Sequence, residues 1–297
     1  MVYRLNAVGV VRSPYGEKFS VPRQSGLAPD VCSQLEFFPP YSDPAAFAGL
    51  EGFSHIYILF IFDRTPDRVF RAKVRPPRLG GNKRVGVFAS RSPCRPSRLG
   101  LSVVRLLAIK VKAGRTVLEV SGADLVDGTP IIDIKPYIPF VDCIRDASGG
   151  FASEPPPRFE VEFTPAALKV LSGLGEQQLL AIREILSQDP RPAYRGQSED
   201  HHGYGALLYG YNLRFYCEES RLIVTDAARV EVCRGTSGTG ACSDAKAARA
   251  GQEDAGAEVC REAAGTGVCE EVTGAGASRE HSEPLPAGKE PGPVPEP

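Results

Sequence analysis

A stretch of cationic side chains between Lys73 and Arg98 is the most prominent chemical feature of the sequence. It holds eight Lys and Arg residues within 26 positions, interleaved with Pro and Gly. Arginines on a backbone stiffened by proline suit planar contacts with oxyanions, because guanidinium presents parallel N–H donors. The stretch favours recognition of phosphate or carboxylate, with RNA as one option, over an ordinary solvated surface. Its members are Lys73, Arg75, Arg78, Lys83, Arg84, Arg91, Arg95 and Arg98.

Three aspartates near the middle of the chain form a second candidate set. Asp124, Asp127 and Asp133 could act as paired carboxylates in glycoside or metal chemistry. The alternative is a turn at 127–130 between two strands, because Asp-Gly pairs favour tight turns. Composition leaves open whether this turn also lines a ligand pocket.

His55 opens an apolar segment, and by itself it is best interpreted as a core histidine. The other histidines show no zinc-ligand spacing with it, so no metal site is predicted. No serine lies in a nucleophile-elbow pattern, so the residues do not support a catalytic triad either.

Short apolar runs separated by Pro and Gly clusters must position these residues. They span 5–11, 55–62, 85–89, 101–111, 116–120 and 131–137, and their length and composition are typical of strands. No run leads into a convincing amphipathic helix, so alternating βαβ units are not predicted, and Gly80-Gly81 precedes no helix of a Rossmann turn. The prediction is a mainly β protein, with an antiparallel barrel or sandwich over 1–150.

The pattern changes after the prolines at 155–157. A strand at 159–163, an N-cap at Thr164-Pro165, two helices and a further strand pair predict a small α+β domain over 158–230. Residues 232–297 have almost no large apolar side chains, which predicts a disordered tail. An imperfect cysteine repeat within the tail lacks metal-knuckle spacing.

Composition excludes several classes of protein. No segment approaches the roughly 18 to 20 apolar residues of a membrane span, and no signal-peptide pattern is visible, which predicts a cytoplasmic protein. The cysteines of the globular part have no CxxC spacing and are expected to be reduced thiols. Because the net charge is −1, any RNA contact must come from a local basic patch.

Several long motifs resemble, in the same order, the TrmO (TsaA-like) family of tRNA methyltransferases. The likeness is close over about 5–145 and looser over 159–230, where 188–191 and 208–215 carry it. The motifs of the first region are Val8–Tyr15, Pro22–Gln24, Gly49–His55, Val74–Arg78, Val87–Pro93, Leu99–Ser102, Asp124–Pro130 and Asp133–Tyr137.

The resemblance implies a β-barrel enzyme that works as a homodimer and uses S-adenosylmethionine (SAM). Its implied product is the N6-methyl derivative of threonylcarbamoyladenosine at position 37, beside the anticodon of threonine tRNA. Carried over by position, the implied cofactor residues are Pro22, Arg23, Gln24, His55, Ile56, Arg91, Leu101, Asp124, Leu125, Val126, Asp127 and Gly128.

Methyl transfer needs no covalent residue, and a base would only remove the N6 proton. Asp127 and Asp133 are candidates by charge. Candidates for tRNA phosphates or the substrate carboxylate are Lys83, Arg84, Arg95 and Arg98. The chain departs from the family pattern in this loop at Cys94, Ser97 and Arg98.

Two other hypotheses remain open from the sequence. One is an RNA-binding β-barrel module without catalysis. The other is a small-molecule hydrolase that uses Asp124 and Asp133.

Overall fold

The computed structural model describes residues 3–65, 70–192 and 200–230. The predicted tail at 232–297, with its cysteine repeat, lies outside these residues.

Twelve strands account for most of the regular structure that is described. They are β1 (Gly9–Arg12), β2 (Cys32–Phe37), β3 (His55–Ile61), β4 (Lys73–Val74), β5 (Val85–Gly86), β6 (Leu99–Lys112), β7 (Arg115–Ser121), β8 (Pro130–Pro136), β9 (Glu160–Phe163), β10 (Asp200–Leu208), β11 (Tyr211–Glu218) and β12 (Arg221–Arg229). The α-helices are α1 (Pro139–Asp142), α2 (Pro165–Val170) and α3 (Glu176–Leu186).

Six of these strands close a barrel in the order β1-β2-β7-β6-β3-β8, and every neighbouring pair is antiparallel. This architecture confirms the predicted mainly β fold with an N-terminal barrel. The alternation of side chains along β3 shows why the barrel forms. Every second side chain points into the barrel and is buried, namely Ile56, Ile58 and Phe60. The residues between them face outward, as the two-residue period of a strand requires.

Strand boundaries differ from the apolar runs at two places. The predicted strand at 85–89 is paired only at Val85–Gly86 and then turns as a 3₁₀ helix at Val87–Ala89. Strand β2 was missed, because its inward residues Ser33, Leu35 and Phe37 alternate with polar ones and form no apolar run. Period-two alternation was the signal that could have found it.

The C-terminal module is a four-stranded sheet in the order β10-β11-β12-β9, with only β9 parallel to its neighbour. Helix α2 begins as predicted: Thr164 Oγ1 accepts from Ala167 N at 3.3 Å, and Pro165 occupies the first turn. Helix α3 buries Ala181, Ile182 and Ile185 in the core of the module.

Residues from the barrel's own sequence complete this second core. Tyr15, Ala28 and Val31 come from the connection between β1 and β2, and each is at most 1% exposed. They pack in the same apolar cluster as the C-terminal sheet and helices. The connection at 13–31 therefore belongs to the packing of both modules.

Gly100 provides a test of barrel packing. A Cβ at this position would lie within 2.8 Å of three ring atoms of Phe60, on the neighbouring strand. We expect Gly100→Ala to destabilise the protein by about 1 to 3 kcal/mol, because the ring must leave its site. Urea unfolding measures the loss. Gly86→Ala is the matched control, since nothing lies within 4 Å of its Cβ position. Equal stability of the two variants would contradict this packing argument.

Candidate functional site

Three predicted site residues from separate loops meet at one end of the barrel. Arg91 Nη1 donates to Gln24 Oε1 at 2.8 Å, and the positive charge of Arg91 acts on the carboxyl group of Asp124. Asp124 Oδ1 also accepts from Ser102 Oγ at 2.6 Å. We call Gln24, Arg91, Ser102 and Asp124 the loop cluster. Its members come from the β1–β2, β5–β6 and β7–β8 connections and from the inner face of β6.

The Asp124 carboxyl group is held in a weakly solvated position. Burial raises its pKa, while the hydrogen bond from Ser102, backbone hydrogen bonds from Asp124 and Ser25, and the charge of Arg91 oppose the rise. A carboxylate has about four acceptor positions, so one hydroxyl donor and two backbone amide donors leave acceptor capacity for an incoming ligand. The loop cluster can therefore bind a ligand that carries both an anionic and a cationic or donor group.

The loop at 124–128, here called the cofactor loop after its predicted role, is held by the residues that follow β1. Ser13 Oγ donates to Leu125 O at 2.7 Å, and Ser13 N donates to Asp127 Oδ1 at 3.1 Å. The Gly128 amide donates to Val11 O at 2.8 Å. The predicted turn is present: Thr129 N donates to Val126 O at 3.1 Å, and Gly128 has a φ of +83°, which favours glycine.

Pro22 and Arg23 lie beside a cleft of about 390 Å³ that is also lined by residues of the C-terminal module. Arg23 Nη2 donates to the carbonyl of Arg191 at 3.2 Å. Pro22 and Arg23 are thus held against the C-terminal module, while Gln24 reaches the loop cluster.

The other predicted cofactor residues lie on strands. The side chain of Ile56 points into the barrel core and is fully buried, whereas Leu101 faces outward and is 54% exposed. His55 also faces outward, with Nδ1 at 2.9 Å from Ser54 Oγ and its ring edge-on to Tyr137. Among the described residues, no hydrogen bond or ion pair joins His55 or Leu101 to the loop cluster.

The two candidate bases differ in their surroundings. Asp127 lies in the cofactor loop, where its Oδ1 accepts from the Ser13 amide. Asp133 faces outward on β8 and forms an ion pair of 2.8 Å with Lys135. Because Asp133 pairs with the outward residue Leu59, while Asp124 bonds the inward Ser102, the two carboxylates lie on opposite faces of the barrel wall. The hydrolase hypothesis needs them together and therefore loses its geometric basis.

The basic stretch divides into two groups. Several arginines bind carbonyl groups: Arg78 Nε donates to Phe151 O at 3.2 Å, and Arg95 Nη1 donates to Ser90 O at 3.0 Å. Arg98, with a φ of +50°, donates to Thr65 O at 3.3 Å. Lys83 and Arg84 are exposed between β4 and β5. Of the four RNA candidates, these two have the free approach that a phosphate requires.

Sequence reasoning missed two residues that organise the site. Ser102, the partner of Asp124, lies between inward Gly100 and Val104, so a lone polar residue at an inward strand position was the available signal. Arg64 donates to the carbonyls of Asp127 and Gly16. No local pattern marks Arg64, because its partners are distant in sequence.

Metal ligands, disulfide bonds and membrane-spanning helices are absent from the described ranges. No group of three His, Cys, Asp or Glu side chains there could hold a metal ion. Cys32, Cys94, Cys143 and Cys217 form no disulfide bond within the described residues. No described helix is long and apolar enough to cross a membrane.

Comparisons with known proteins agree with this architecture. The family model for the tRNA-methyltransferase O N-terminal domain matches residues 10–143, and the model for the TrmO C-terminal domain matches 156–230. A tRNA (adenine(37)-N6)-methyltransferase of Escherichia coli is 46% identical over 217 residues, which cover 72% of this chain and 92% of that protein.

Two comparisons involve Pseudomonas aeruginosa. A putative S-adenosylmethionine-dependent methyltransferase is 42% identical and covers 77% of this chain and 99% of its own length. A crystal structure of TrmO superposes with a TM-score of 0.63 at 35% identity, again over 77% of this chain and 99% of that one.

The barrel, the loop cluster and these matches define the class of the protein: it is a tRNA methyltransferase. Within that class the chain belongs to the tRNA-methyltransferase O (TrmO) family. The resemblance inferred from the motifs is confirmed.

Asp124 gives a pH-dependent prediction. In the folded state the pKa of Asp124 is raised above the ordinary value of 3.8. As pH rises from 3.8 through the folded-state pKa, the unfolded chain loses this proton more readily than the folded protein does, so the free energy of unfolding falls. The Asp124→Asn variant has no titratable group at this position. We expect the stability of the native protein relative to Asp124→Asn to fall as pH rises above about 4. Urea unfolding of both proteins at a series of pH values measures the difference. A difference independent of pH would contradict the argument.

Proposed function

We propose that this protein uses SAM to methylate N6 of threonylcarbamoyladenosine at position 37 of threonine tRNA. The observation that carries the proposal is the loop cluster, where Gln24, Arg91 and Asp124 meet in a chain that both TrmO family models match. The name of the E. coli relative supports the position and the reacting nitrogen. The threonylcarbamoyl group and the threonine tRNA come from the family resemblance.

The donor set of the loop cluster fits SAM, which carries a carboxylate, an ammonium group, ribose hydroxyls and an adenine ring. Arg91 or Arg23 would bind the carboxylate, and Asp124 would accept from the ammonium group or the hydroxyls. Among the described residues, the amides of Leu125 and Val126 donate to no protein acceptor, so they are available to adenine nitrogens. The remaining proposed contacts are Pro22, Gln24, His55, Ile56, Leu101, Asp127 and Gly128.

The protein's residues have to orient two reactants. SAM, when bound, supplies an activated methyl group on its sulfonium. The loops would hold N6 in line with that methyl group at near-attack distance, which accounts for most of the acceleration such a site requires.

The proposed proton acceptor for N6 is Asp127. Its Oδ1 accepts from Ser13, and no described residue donates to its Oδ2. The other candidate, Asp133, shares Oδ2 with Lys135 on the outer face of the barrel. Asp127 is preferred because it lies in the cofactor loop, whereas Asp133 is ion-paired on the opposite face of the barrel wall.

The tRNA phosphates would be bound first by Lys83 and Arg84, which are exposed. Arg95 and Arg98 donate to the carbonyls of Ser90 and Thr65 and would stabilise the backbone of these connections. Because the chain is nearly neutral overall, binding would depend on this local patch and weaken with salt.

We also propose that the protein forms a homodimer. Short helix α1 and the residues after it leave apolar side chains in solvent, with Phe140 at 90%, Val141 at 59% and Ile144 at 67% exposure. Adjacent apolar groups of this size usually mark a contact surface. A second copy packed there would also approach the outward-facing residues His55 and Leu101, which in one protomer are not joined to the loop cluster.

The decisive test compares tRNA nucleosides by mass spectrometry. A strain lacking the gene should contain threonylcarbamoyladenosine without its N6-methyl derivative, and complementation should restore the methylated form. Complementation with Arg91→Ala should fail, because SAM binding weakens by about 10- to 100-fold when a charged hydrogen bond is lost. Calorimetry with purified protein measures that affinity.

The exposed Arg115 provides the control, since Arg115→Ala should restore methylation and bind SAM normally. Equal methylation with and without the gene would refute the tRNA assignment. If the purified protein binds RNA but neither SAM nor its demethylated product, the alternative hypothesis holds: an RNA-binding barrel without catalysis.

The dimer has a separate test. We expect Phe140→Asp with Ile144→Asp to convert a dimer to a monomer, because two charges would be buried in an apolar contact. Light scattering after size exclusion measures the mass. Leu180→Asp, which changes an exposed apolar residue on α3, is the control and should leave the mass unchanged. A native protein that is monomeric at micromolar concentration would exclude this dimer.

A further inference from the structure

The residues at 13–17, here the bridging segment, form hydrogen bonds on both of their sides. On one side lies the cofactor loop. Ser13 Oγ donates to Leu125 O at 2.7 Å, Ser13 N donates to Asp127 Oδ1 at 3.1 Å, and Asp127 N donates to Tyr15 O at 2.9 Å. These bonds fix the backbone of the cofactor loop relative to the bridging segment.

On the other side lies the C-terminal module. Gly16 N donates to Leu207 O at 3.2 Å, Tyr209 N donates to Pro14 O at 3.1 Å, and Leu207 N donates to Glu17 Oε1 at 3.2 Å. Strand β10 is the edge of its sheet, and Tyr15 forms an antiparallel bridge with Leu208. The bridging segment thus lies along this edge of the C-terminal sheet, joined to it by one β-bridge and by backbone hydrogen bonds, and covers it.

Side-chain packing strengthens the second side. Tyr15 is fully buried in the C-terminal core, together with Leu208 and Leu213. Gly16 allows the close approach: a Cβ there would lie 2.5 Å from Leu207 Cδ2 and 2.7 Å from Leu207 Cγ. A larger residue at position 16 must therefore displace the Leu207 side chain or move the bridging segment away from β10.

The C-terminal module also holds the second predicted cofactor segment. Arg158 Nη2 donates to Leu27 O at 2.7 Å, and Asp30 N donates to Glu184 Oε2 at 3.2 Å. With Arg23 bonded to the Arg191 carbonyl, the β1–β2 connection is attached to the module on either side of Gln24. Both loops that would bind SAM are therefore attached to the same module.

We propose that the C-terminal module is a positioning element for the SAM site. Strand β10 acts through Gly16 and Tyr15 on the cofactor loop, so displacement of β10 lowers SAM affinity without any change in a residue that contacts SAM. The inference rests on the proposed function, because it assumes that SAM binds at the cofactor loop. Gly16 and Tyr15 are positioning residues, since they act only through other residues.

Gly16→Ala is the principal test, with SAM affinity measured by calorimetry on the full chain. We expect SAM to bind about tenfold more weakly, because the cofactor loop would lose stabilisation equivalent to roughly one hydrogen bond. Leu207→Ala removes Cγ and Cδ2 and leaves a Cβ at 3.5 Å, which is ordinary contact. The double variant should therefore recover native affinity, and Leu207→Ala alone should bind normally.

Hydrogen exchange distinguishes a local effect on the cofactor loop from a loss of stability of the whole protein. In Gly16→Ala, peptides covering 124–130 should exchange faster, while peptides of the distant end of β6 and β7 keep their native rates. If Gly16→Ala does not fold, Glu17→Ala is used, since it removes only the acceptor of the Leu207 amide. We expect a two- to threefold loss of SAM affinity there, with the exposed Glu160→Ala as control.

The outcomes separate the two proposals. If the native protein does not bind SAM, the proposed function fails. If the native protein binds SAM and folded Gly16→Ala binds it equally well, only the positioning role is overturned. Weaker binding in Gly16→Ala that Leu207→Ala does not rescue also overturns it, because the contact with β10 would then not be the cause.

Discussion

The pairing of the bridging segment with the edge of strand β10 is the contact on which the arrangement of the candidate site depends. A chain with a closed barrel needs no second module to satisfy its strand edges, because closure leaves none open. The C-terminal sheet does have an open edge, and residues 14–17 cover it. The same residues form hydrogen bonds with the cofactor loop on their other side, so the packing of the C-terminal module and the geometry of the candidate site are coupled.

The electrostatic character of the site follows from this packing. Burial of the Asp124 carboxyl group costs free energy, and the Ser102 hydroxyl, the Arg91 charge and two backbone amides only partly offset that cost. Such a group is expected at a position selected for ligand binding and not for stability alone. The loops must then be held from outside the barrel, which is what the attachments of the β1–β2 connection provide.

The basic stretch illustrates how one residue type serves two purposes. Arg78 and Arg95 donate to carbonyls in irregular backbone that has few ladder hydrogen bonds, so they stabilise the loops. Lys83 and Arg84 remain in solvent and supply the local positive charge. A count of cations cannot separate these groups, because the carbonyl partners lie as far away as Phe151 in the sequence.

The sequence alone determined the fold class of the barrel, the N-cap of α2, the Asp127-Gly128 turn and the family, because each depends on local periodicity, local turn chemistry or ordered motifs. It did not reveal β2, whose polar alternation hides its inward residues, nor Ser102 and Arg64. Only the tertiary structure decided that Asp124 and Asp133 face opposite sides of the barrel wall and that Tyr15 belongs to the C-terminal core. Those facts depend on strand register and on contacts between residues nearly 200 positions apart, which no local pattern encodes.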